Sequence, residues 1–133
     1  ASGSPDFTAG PVTVGDNVTF GPYCNIGGGF GVVIGENCVF GPYVSIHPEG
    51  HVFANRSVPI REQGIVGTGI RLGADNWVGA KATVLDGARI GSGCVLGAAC
   101  VVVAGVFGAI TVNKRILFVQ GLPAAIALGL TLL

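Results

Sequence analysis

Two stretches of the sequence, VGDNVTFGPYCNIG at residues 14–27 and IGENCVFGPYVSIH at residues 34–47, are near copies of each other twenty residues apart. In each copy an aliphatic residue or a phenylalanine recurs at every sixth position, and a glycine follows it directly in every case but one. Self-similarity at a fixed period is the signature of a repeat architecture. These two stretches therefore decide the fold.

The same period of six continues through the second half of the chain. Six further positions continue it, namely Leu72, Val78, Val84, Ile90, Leu96 and Val102. A surface helix has a period of 3.6 and a half-buried strand a period of 2, so a unit of six fits one short strand followed by one sharp corner. Three units close a triangular coil of about 18 residues, and such coils stack at the parallel-strand spacing of roughly 4.8 Å. The pattern predicts an all-β fold, a parallel β-helix with the periodic residues inside.

The corners of this β-helix carry glycine and polar turn residues. We expect the glycine after each periodic residue to adopt the turn conformation that a Cβ atom would hinder. Asp16–Asn17 and Glu36–Asn37 come next, and these residue types favour turns. Glycine is accordingly abundant, with 24 of 133 residues, and the repeat explains this abundance without disorder or a collagen-like chain.

The four cysteines test the register of the repeat. Each lies two residues before a periodic position, in a phase that small or branched apolar residues also occupy (Cys24, Cys38, Cys94, Cys100, with Val18, Val44, Ala82 and Ala88). We predict that they are buried thiols that pack as small apolar side chains. No pair has the Cys-x-x-Cys spacing of a zinc site, so no metal is expected. Reduced cysteines, together with the absence of a recognisable signal peptide, predict a cytoplasmic protein.

The repeat is interrupted twice within what we expect to be a single domain over residues 1–133. Two extra residues, assigned to Val32 and Val33, separate the first two coils, and a longer insertion at residues 52–71 predicts an external loop. Residues 108–133 are expected to form a short C-terminal cap. Residues 116–133 carry no charge, but Gln120, Gly121 and Pro123 make a membrane span the less favoured interpretation.

The charge of the chain excludes some partners. Seven basic residues balance seven acidic ones, and charged residues make up 11% of the sequence. There is no basic field that would attract nucleic acid. We therefore do not expect a nucleic-acid partner.

The two histidines of the chain are the best candidates for catalysis. Both lie in the segment IHPEGH, where His47 takes the position that Gly27 has in the preceding coil and His51 stands at the start of the insertion. Imidazole is the usual general base near neutral pH, so His51 is the predicted base, whereas His47 is expected to be structural. The sequence has no Gly-x-Ser-x-Gly elbow and no cysteine beside a base. The residues therefore predict a base that acts directly on an acceptor substrate.

The stretches FGPYVSIHPEGH, VPIREQG, ADNWVGAKATVLDGARIGSGCVLGAA and QGLPA resemble the hexapeptide-repeat sugar O-acetyltransferases. This family includes the maltose and galactoside acetyltransferases, and VPIREQG is closer to the branch that acts on capsular and colanic polysaccharides. The resemblance covers about residues 12–125. It implies a left-handed β-helix, a homotrimer, and active sites between neighbouring subunits.

The resemblance also implies a reaction and roles for individual residues. His51 would remove a proton from a hydroxyl of a sugar or saccharide, which attacks the thioester of acetyl-coenzyme A (acetyl-CoA) in a ternary complex without a metal. The residues matching the coenzyme site are Trp77, Gly79, Ala80, Gly97 and Ala98. Tyr23 and Asn25 occupy the neighbourhood of the acceptor, in place of the Asn and Asp of the maltose-type enzymes.

The chain departs from the family where relatives hold the phosphates of the coenzyme. Val103–Ala104 replaces a Thr–Lys pair, and Ala125 stands where relatives carry a cation. Lys81, Lys114 or Arg115 are candidates to replace these charges. The departure keeps open a second hypothesis, a catalytically inactive trimeric β-helix that serves as a scaffold or binding module. A γ-type carbonic anhydrase is disfavoured, because its zinc needs three histidines.

Overall fold

The computed structural model describes residues 10–104, which form short β-strands and one 3-10 helix at Ile60–Glu62. The first two coils contain β1 (Val12–Val14), β2 (Thr19–Phe20), β3 (Asn25–Ile26), β4 (Val32–Ile34), β5 (Val39–Phe40) and β6 (Ser45–His47). A hairpin of β7 (Gly50–His51) and β8 (Ile65–Val66) follows. The last two coils contain β9 (Ile70–Leu72), β10 (Trp77–Val78), β11 (Thr83–Leu85), β12 (Arg89–Ile90), β13 (Val95–Leu96) and β14 (Val101–Val102).

Equivalent strands of the four coils stack into three parallel sheets. Sheet I is β1-β4-β9-β12, sheet II is β2-β5-β10-β13, and sheet III is β3-β6-β11-β14. The register pairs the periodic residues with one another, as in Val14 with Ile34 and Ile34 with Leu72. The protein is a left-handed parallel β-helix, as predicted. We name its corners I/II, II/III and III/I after the sheets that meet there.

The periodic residues form the core, as expected. Phe40, Ile46, Val78 and Val84 in the two middle coils are at most 2% exposed. Their equivalents in the first and last coils are partly exposed, because a described coil covers them on only one side. Phe20 stacks on Phe40 with ring centroids 4.8 Å apart, so aromatic contact continues the core toward the first coil.

The cysteine phase also points inward, as predicted. Cys38 and Cys100 are buried, Cys24 and Cys94 in the first and last coils are half-buried, and all four cysteines are free thiols. Asn76 occupies the same phase and is only 2% exposed. Its Nδ2 donates to the carbonyls of Gly73 (2.9 Å) and Gly91 (2.8 Å), and its Oδ1 accepts the N–H of Cys94 at 2.6 Å. This buried amide is therefore satisfied and ties the last two coils together.

The expected reason for the corner glycines was wrong. Left-handed backbone falls two residues after the glycine, at Asn17 (φ 55°) and Asn37 (φ 58°). The glycine itself is required by the stacking of coils, because a Cβ atom on Gly35 would lie 2.5 Å from the carbonyl carbon of Gly73 in the next coil. A side chain there would collide with backbone.

The boundaries of both interruptions also differ from the prediction. Val32 and Val33 belong to β4 and pair with β1, so the extra residues lie in the corner at residues 27–31. The insertion is a hairpin that begins at Gly50, and Ile70 and Arg71 already belong to β9. The predicted cap at residues 108–133 lies outside the described residues. Within residues 10–104, no helix has the length and apolar character needed to cross a membrane.

Candidate functional site

Corner II/III gathers most of the residues predicted from the resemblance. Its stacked positions are, in order from coil one to coil four, Gly21/Gly41/Gly79/Gly97, Pro22/Pro42/Ala80/Ala98 and Tyr23/Tyr43/Lys81/Ala99. Trp77 lies beside this corner on sheet II, and Asn25 lies beside it on sheet III. The structure thus brings the predicted coenzyme residues and the predicted acceptor residues to one edge of the solenoid.

Two backbone donors are available at this corner. The first two coils have prolines at the position of Ala80 and Ala98, so only the last two coils carry an N–H group there. Within residues 10–104, neither of these two N–H groups donates a hydrogen bond, although the Ala80 carbonyl accepts the N–H of Ala99 at 2.8 Å. Backbone donors without a partner are suited to bind a carbonyl or an oxyanion.

Trp77 presents an exposed indole next to these donors. Its side chain is 57% exposed, and its neighbours in the sheet II ladder, Val39 and Val95, are 47% and 37% exposed. Large apolar side chains that cluster on a surface mark contact sites. Sheet II therefore offers an apolar strip alongside the two free N–H groups.

Tyr23 and Tyr43 form an aromatic column at the same corner. Their rings stack with centroids 5.1 Å apart and an interplanar angle of 16°. Both residues have left-handed backbone, with φ of 62° and 60°. For a residue other than glycine, asparagine or aspartate, this conformation costs about 1–2 kcal/mol.

His51 lies on the hairpin, away from this column. In β7 it pairs with Ile65 of β8, and its side chain is exposed. The hairpin leaves from corner III/I, after His47 at the end of β6. The three residues of β6 span roughly 10 Å and separate that corner from corner II/III. Within one chain, the hairpin that carries His51 therefore starts from a different corner than the one where the other predicted site residues lie.

The tip of the hairpin is held by Gln63, which the sequence analysis did not single out. Its Nε2 donates to the carbonyls of Asn55 (2.8 Å) and Val58 (2.7 Å), and its Oε1 accepts the N–H of Asn55 at 3.1 Å. Phe53 and Ile60 are 73% and 53% exposed on the same tip. The tip is thus ordered internally while it displays apolar side chains.

The base of the hairpin is held from the next coil. Oδ1 of Asp86 accepts the backbone N–H groups of Thr68 and Gly69, each at 2.8 Å. The Arg89 guanidinium donates to the carbonyls of Gly69 (2.6 Å) and Thr68 (3.1 Å). Sequence reasoning missed both side chains, because their partners lie 17 to 21 residues away.

Glu49 adds an acidic group two residues before His51. Its Oε2 is buried and has no hydrogen-bond partner among the residues that the structure describes. It packs against the glycine-rich corner of the first coil, where a Cβ atom on Gly29 would lie 2.7 Å from Oε2. Buried polar atoms are normally hydrogen-bonded, so Glu49 Oε2 is an unsatisfied acceptor among the described residues.

The thiol of Cys100 is a poor nucleophile. Burial raises the pKa of the Cys100 thiol, and a backbone hydrogen bond opposes this effect only in part. A thiol is reactive when its pKa is lowered, so Cys100 is suited to packing. In the part of the chain that the structure describes, no three His, Cys, Asp or Glu side chains come together as a metal site would require.

Comparison with known proteins relates the chain to acyl-transferring enzymes. A probable acetyltransferase of Mycobacterium tuberculosis is 46% identical over 52 residues, which are 39% of this chain and 17% of that protein. The chain thus spans about a sixth of the length of the curated relative that it matches. The profile of a family described as a protein of unknown function (DUF1304) matches residues 70–132.

Comparison with solved structures finds the same fold in an acyltransferase. One variant of AntD, an N-acyltransferase from Bacillus cereus in complex with dTDP and coenzyme A, aligns with a TM-score of 0.61 at 19% identity. The alignment covers 71% of this chain and 55% of that chain. A second variant of AntD, in complex with the same ligands, aligns with a TM-score of 0.44 at 13% identity. The chain is therefore similar in sequence to a probable acetyltransferase and shares the β-helix of an N-acyltransferase.

Proposed function

We propose that this chain is an acetyltransferase that moves an acetyl group from acetyl-CoA to a hydroxyl of a sugar or saccharide. The observation that carries the proposal is the pair of unpartnered N–H groups at Ala80 and Ala98, beside the exposed indole of Trp77. A Cβ atom on Gly79 would lie 2.5 Å from the backbone nitrogen of Ala98, so glycine at position 79 leaves room for that N–H group. A thioester and its pantetheine chain need such amide donors and an apolar strip.

His51 is proposed as the general base. Its exposed imidazole takes the proton of the acceptor hydroxyl, and the oxygen attacks the thioester carbonyl. The N–H of Ala80 or Ala98 stabilises the oxyanion that forms. The tetrahedral intermediate collapses with release of the thiolate, which recovers the proton from His51. A positioned base contributes about 10²–10⁴-fold to such a reaction.

Two chains are proposed to complete each site. Because sheet III separates His51 from corner II/III in one chain, the base must meet the N–H groups of a neighbouring copy. The exposed apolar side chains of the hairpin, Phe53 and Ile60 among them, would be covered in such an assembly. The resemblance implies a homotrimer, which places three equivalent sites at three interfaces.

The name of AntD supports an alternative acceptor. AntD is an N-acyltransferase crystallised with dTDP, so an amino group on a nucleotide-linked sugar is the competing acceptor for this chain. The inactive scaffold is the second candidate function, and Val103–Ala104 at the position of the missing phosphate-binding pair favours it.

The proposal is tested by calorimetric titration of the full chain with acetyl-CoA, followed by a release assay for free coenzyme A. We expect one coenzyme site per chain, and transfer that His51→Asn abolishes without loss of coenzyme binding. Thr13→Asn on sheet I is the control and should keep both. Treatment of the product with hydroxylamine would then distinguish the two acceptors, because hydroxylamine cleaves an acetyl ester and leaves an acetyl amide intact. No heat at millimolar coenzyme, from folded protein, would favour the scaffold.

A further inference from the structure

Sheet I carries two cationic side chains side by side on its outward face. Its outward positions are Thr13, Val33, Arg71 and Arg89 from coil one to coil four, and the register pairs Arg71 directly with Arg89. Paired strands lie about 4.8 Å apart, and like charges directly opposite each other destabilise a sheet. An anion bound to both guanidinium groups would remove this repulsion.

The Arg89 guanidinium is held in one orientation by the backbone. Its Nη1 donates to the carbonyls of Gly69 (2.6 Å) and Ala88 (3.0 Å), and its Nη2 donates to the carbonyl of Thr68 at 3.1 Å. These bonds use both N–H groups of Nη1 and one of Nη2, so the N–H of Nε and the second N–H of Nη2 are left. The two remaining groups share one edge of the guanidinium plane, and such an edge binds two oxygens of an oxyanion.

Arg71 places a second guanidinium beside this edge of sheet I. Its side chain is exposed, and within residues 10–104 it donates no hydrogen bond, in contrast to that of Arg89. Asp86, which contacts Thr68 and Gly69 at the same corner, has its Oδ1 bonded to their backbone N–H groups. The charge of Arg71 is therefore available to a ligand.

Two concave regions of the surface meet at this pair of arginines. One has a volume of about 580 Å³ and extends toward corner I/II, where Gly73 and Gly91 line it. The other has a volume of about 230 Å³ and extends toward corner III/I. Val33, Arg71 and Arg89 line both. The larger region is within the range of small-molecule sites, about 300–1,000 Å³, so a ligand has room beside the two charges.

We propose that Arg71 and Arg89 bind a phosphate group of a small molecule on the outer face of sheet I. Two phosphate oxygens accept the remaining N–H groups of Arg89, and a third is left for Arg71. A carboxylate would have both of its oxygens occupied by Arg89 alone. A polyanion such as nucleic acid fits less well, because the chain has no net charge and the site has only these two cations.

The site is separate from the proposed coenzyme site of the same chain. Sheet I is the side of the triangular coil opposite corner II/III, where Ala80 and Ala98 lie. Coenzyme A also carries phosphate groups, so the experiment has to distinguish the coenzyme from other phosphates. Phosphate binding requires no acyl transfer and is measured independently of the proposed function.

The test is calorimetric titration of the full chain with sodium phosphate and with sodium pyrophosphate at low ionic strength. We expect binding of at least one probe, with NMR shifts of the Nε–H groups of Arg71 and Arg89. Arg71→Gln should weaken binding about tenfold or more, as expected for a lost charge-assisted hydrogen bond. Arg71→Lys should restore part of the affinity, because lysine has the charge but not the planar fork. Both variants should fold, since the Arg71 side chain is outward and exposed.

The control for net charge is Arg61→Gln, in the 3-10 helix of the hairpin. Salt screens a distant exposed charge, so this variant should bind pyrophosphate within about twofold of wild type. Absence of binding by wild type, or equal weakening by Arg61→Gln and Arg71→Gln, would overturn the site. Binding that occurs only in Asp6→Asn would overturn it too, because a carboxylate of the chain would then be the occupant. So would a parallel loss of acetyl-CoA binding in Arg71→Gln, which would assign Arg71 to the coenzyme.

Discussion

Asp86 and Thr68 are joined across eighteen residues by a hydrogen bond of 2.8 Å from the Thr68 N–H to the Asp86 carboxylate. The same oxygen accepts the N–H of Gly69, so one side chain of the third coil secures the point where the hairpin returns to the solenoid. Gly69 has φ of 80°, a conformation in which glycine is favoured. The orientation of the arm that carries His51 therefore depends on a residue far from it in sequence.

Replacing Asp86 with alanine should loosen the hairpin. Bonds to a charged acceptor contribute about 1.5–3 kcal/mol, and the variant loses two of them. We expect hydrogen exchange of the Thr68 and Gly69 amides to accelerate, while amides of β5 and β10 keep their protection. Asp16→Ala, at an exposed corner position, is the matched control. Unchanged exchange at Thr68 would show that Arg89 alone holds the arm.

Because the coils stack closely, a side chain at position 35 should lower the free energy of unfolding strongly. Gly35→Ala places a Cβ atom 2.5 Å from the backbone of Gly73, and we expect a loss of about 3 kcal/mol in the free energy of unfolding, the upper end of overpacking. Gly50→Ala is the control, since no atom lies within 4 Å of its Cβ. It should change stability by less than about 0.5 kcal/mol. Urea denaturation of both variants checks the contrast, which equal midpoints would contradict.

Left-handed backbone at two corners of the β-helix predicts substitutions that change the free energy of unfolding in opposite directions. Ala99 has φ of 58°, so Ala99→Gly should stabilise the fold by about 0.5 kcal/mol after the entropy of the unfolded glycine is subtracted. Asn37 has the same φ and accepts the Nδ2–H of Asn17 at 2.8 Å. Asn37→Ala should therefore destabilise by about 1 kcal/mol or more. Thermal unfolding followed by circular dichroism would refute the strain argument if both variants shifted in the same direction.

The Cys100 thiol predicts a loss of stability at high pH. Burial raises its pKa in the folded state above the ordinary value of 9.0, so the folded protein holds this proton more tightly than the unfolded chain does. The contribution of this thiol to the free energy of unfolding is therefore fully present below pH 9, and it falls as the pH rises toward the folded-state pKa. Cys100→Ala, which copies Ala82 in the preceding coil, should show a flatter decline. Parallel curves of unfolding free energy against pH for the two proteins would contradict this assignment.

Much of the fold was predictable because the period of six fixes which two positions of each unit point inward, the periodic residue and the residue two before it. It correctly predicted stacked coils with the periodic residues inside, and the predicted burial of the cysteines holds for Cys38 and Cys100, whereas Cys24 and Cys94 are half-buried. It did not distinguish glycines needed for close stacking from residues with left-handed backbone, since both recur with the same period. It also placed the end of the insertion at Arg71 rather than before Ile70, because a charged residue on the outward face of β9 interrupts the apolar pattern.

The candidate site was predictable in part. Motif resemblance selected positions at Ala80 and Ala98 that the fold stacks at one corner, and Tyr23 and Asn25 lie along the same edge. Their roles and that of His51 stay predictions. Tyr43, Glu49 and Asp86 emerged only with the structure, because stacking, burial of a single oxygen and a bond between coils leave no local pattern in sequence.

The hairpin leaves and rejoins the solenoid without interrupting sheet I, where β4 pairs directly with β9 in register. Residues added to or removed from the tip would leave that ladder untouched. The length of the hairpin is thus independent of the strand pairing that stabilises the β-helix. The length of this arm can therefore change while the stacked coils stay the same.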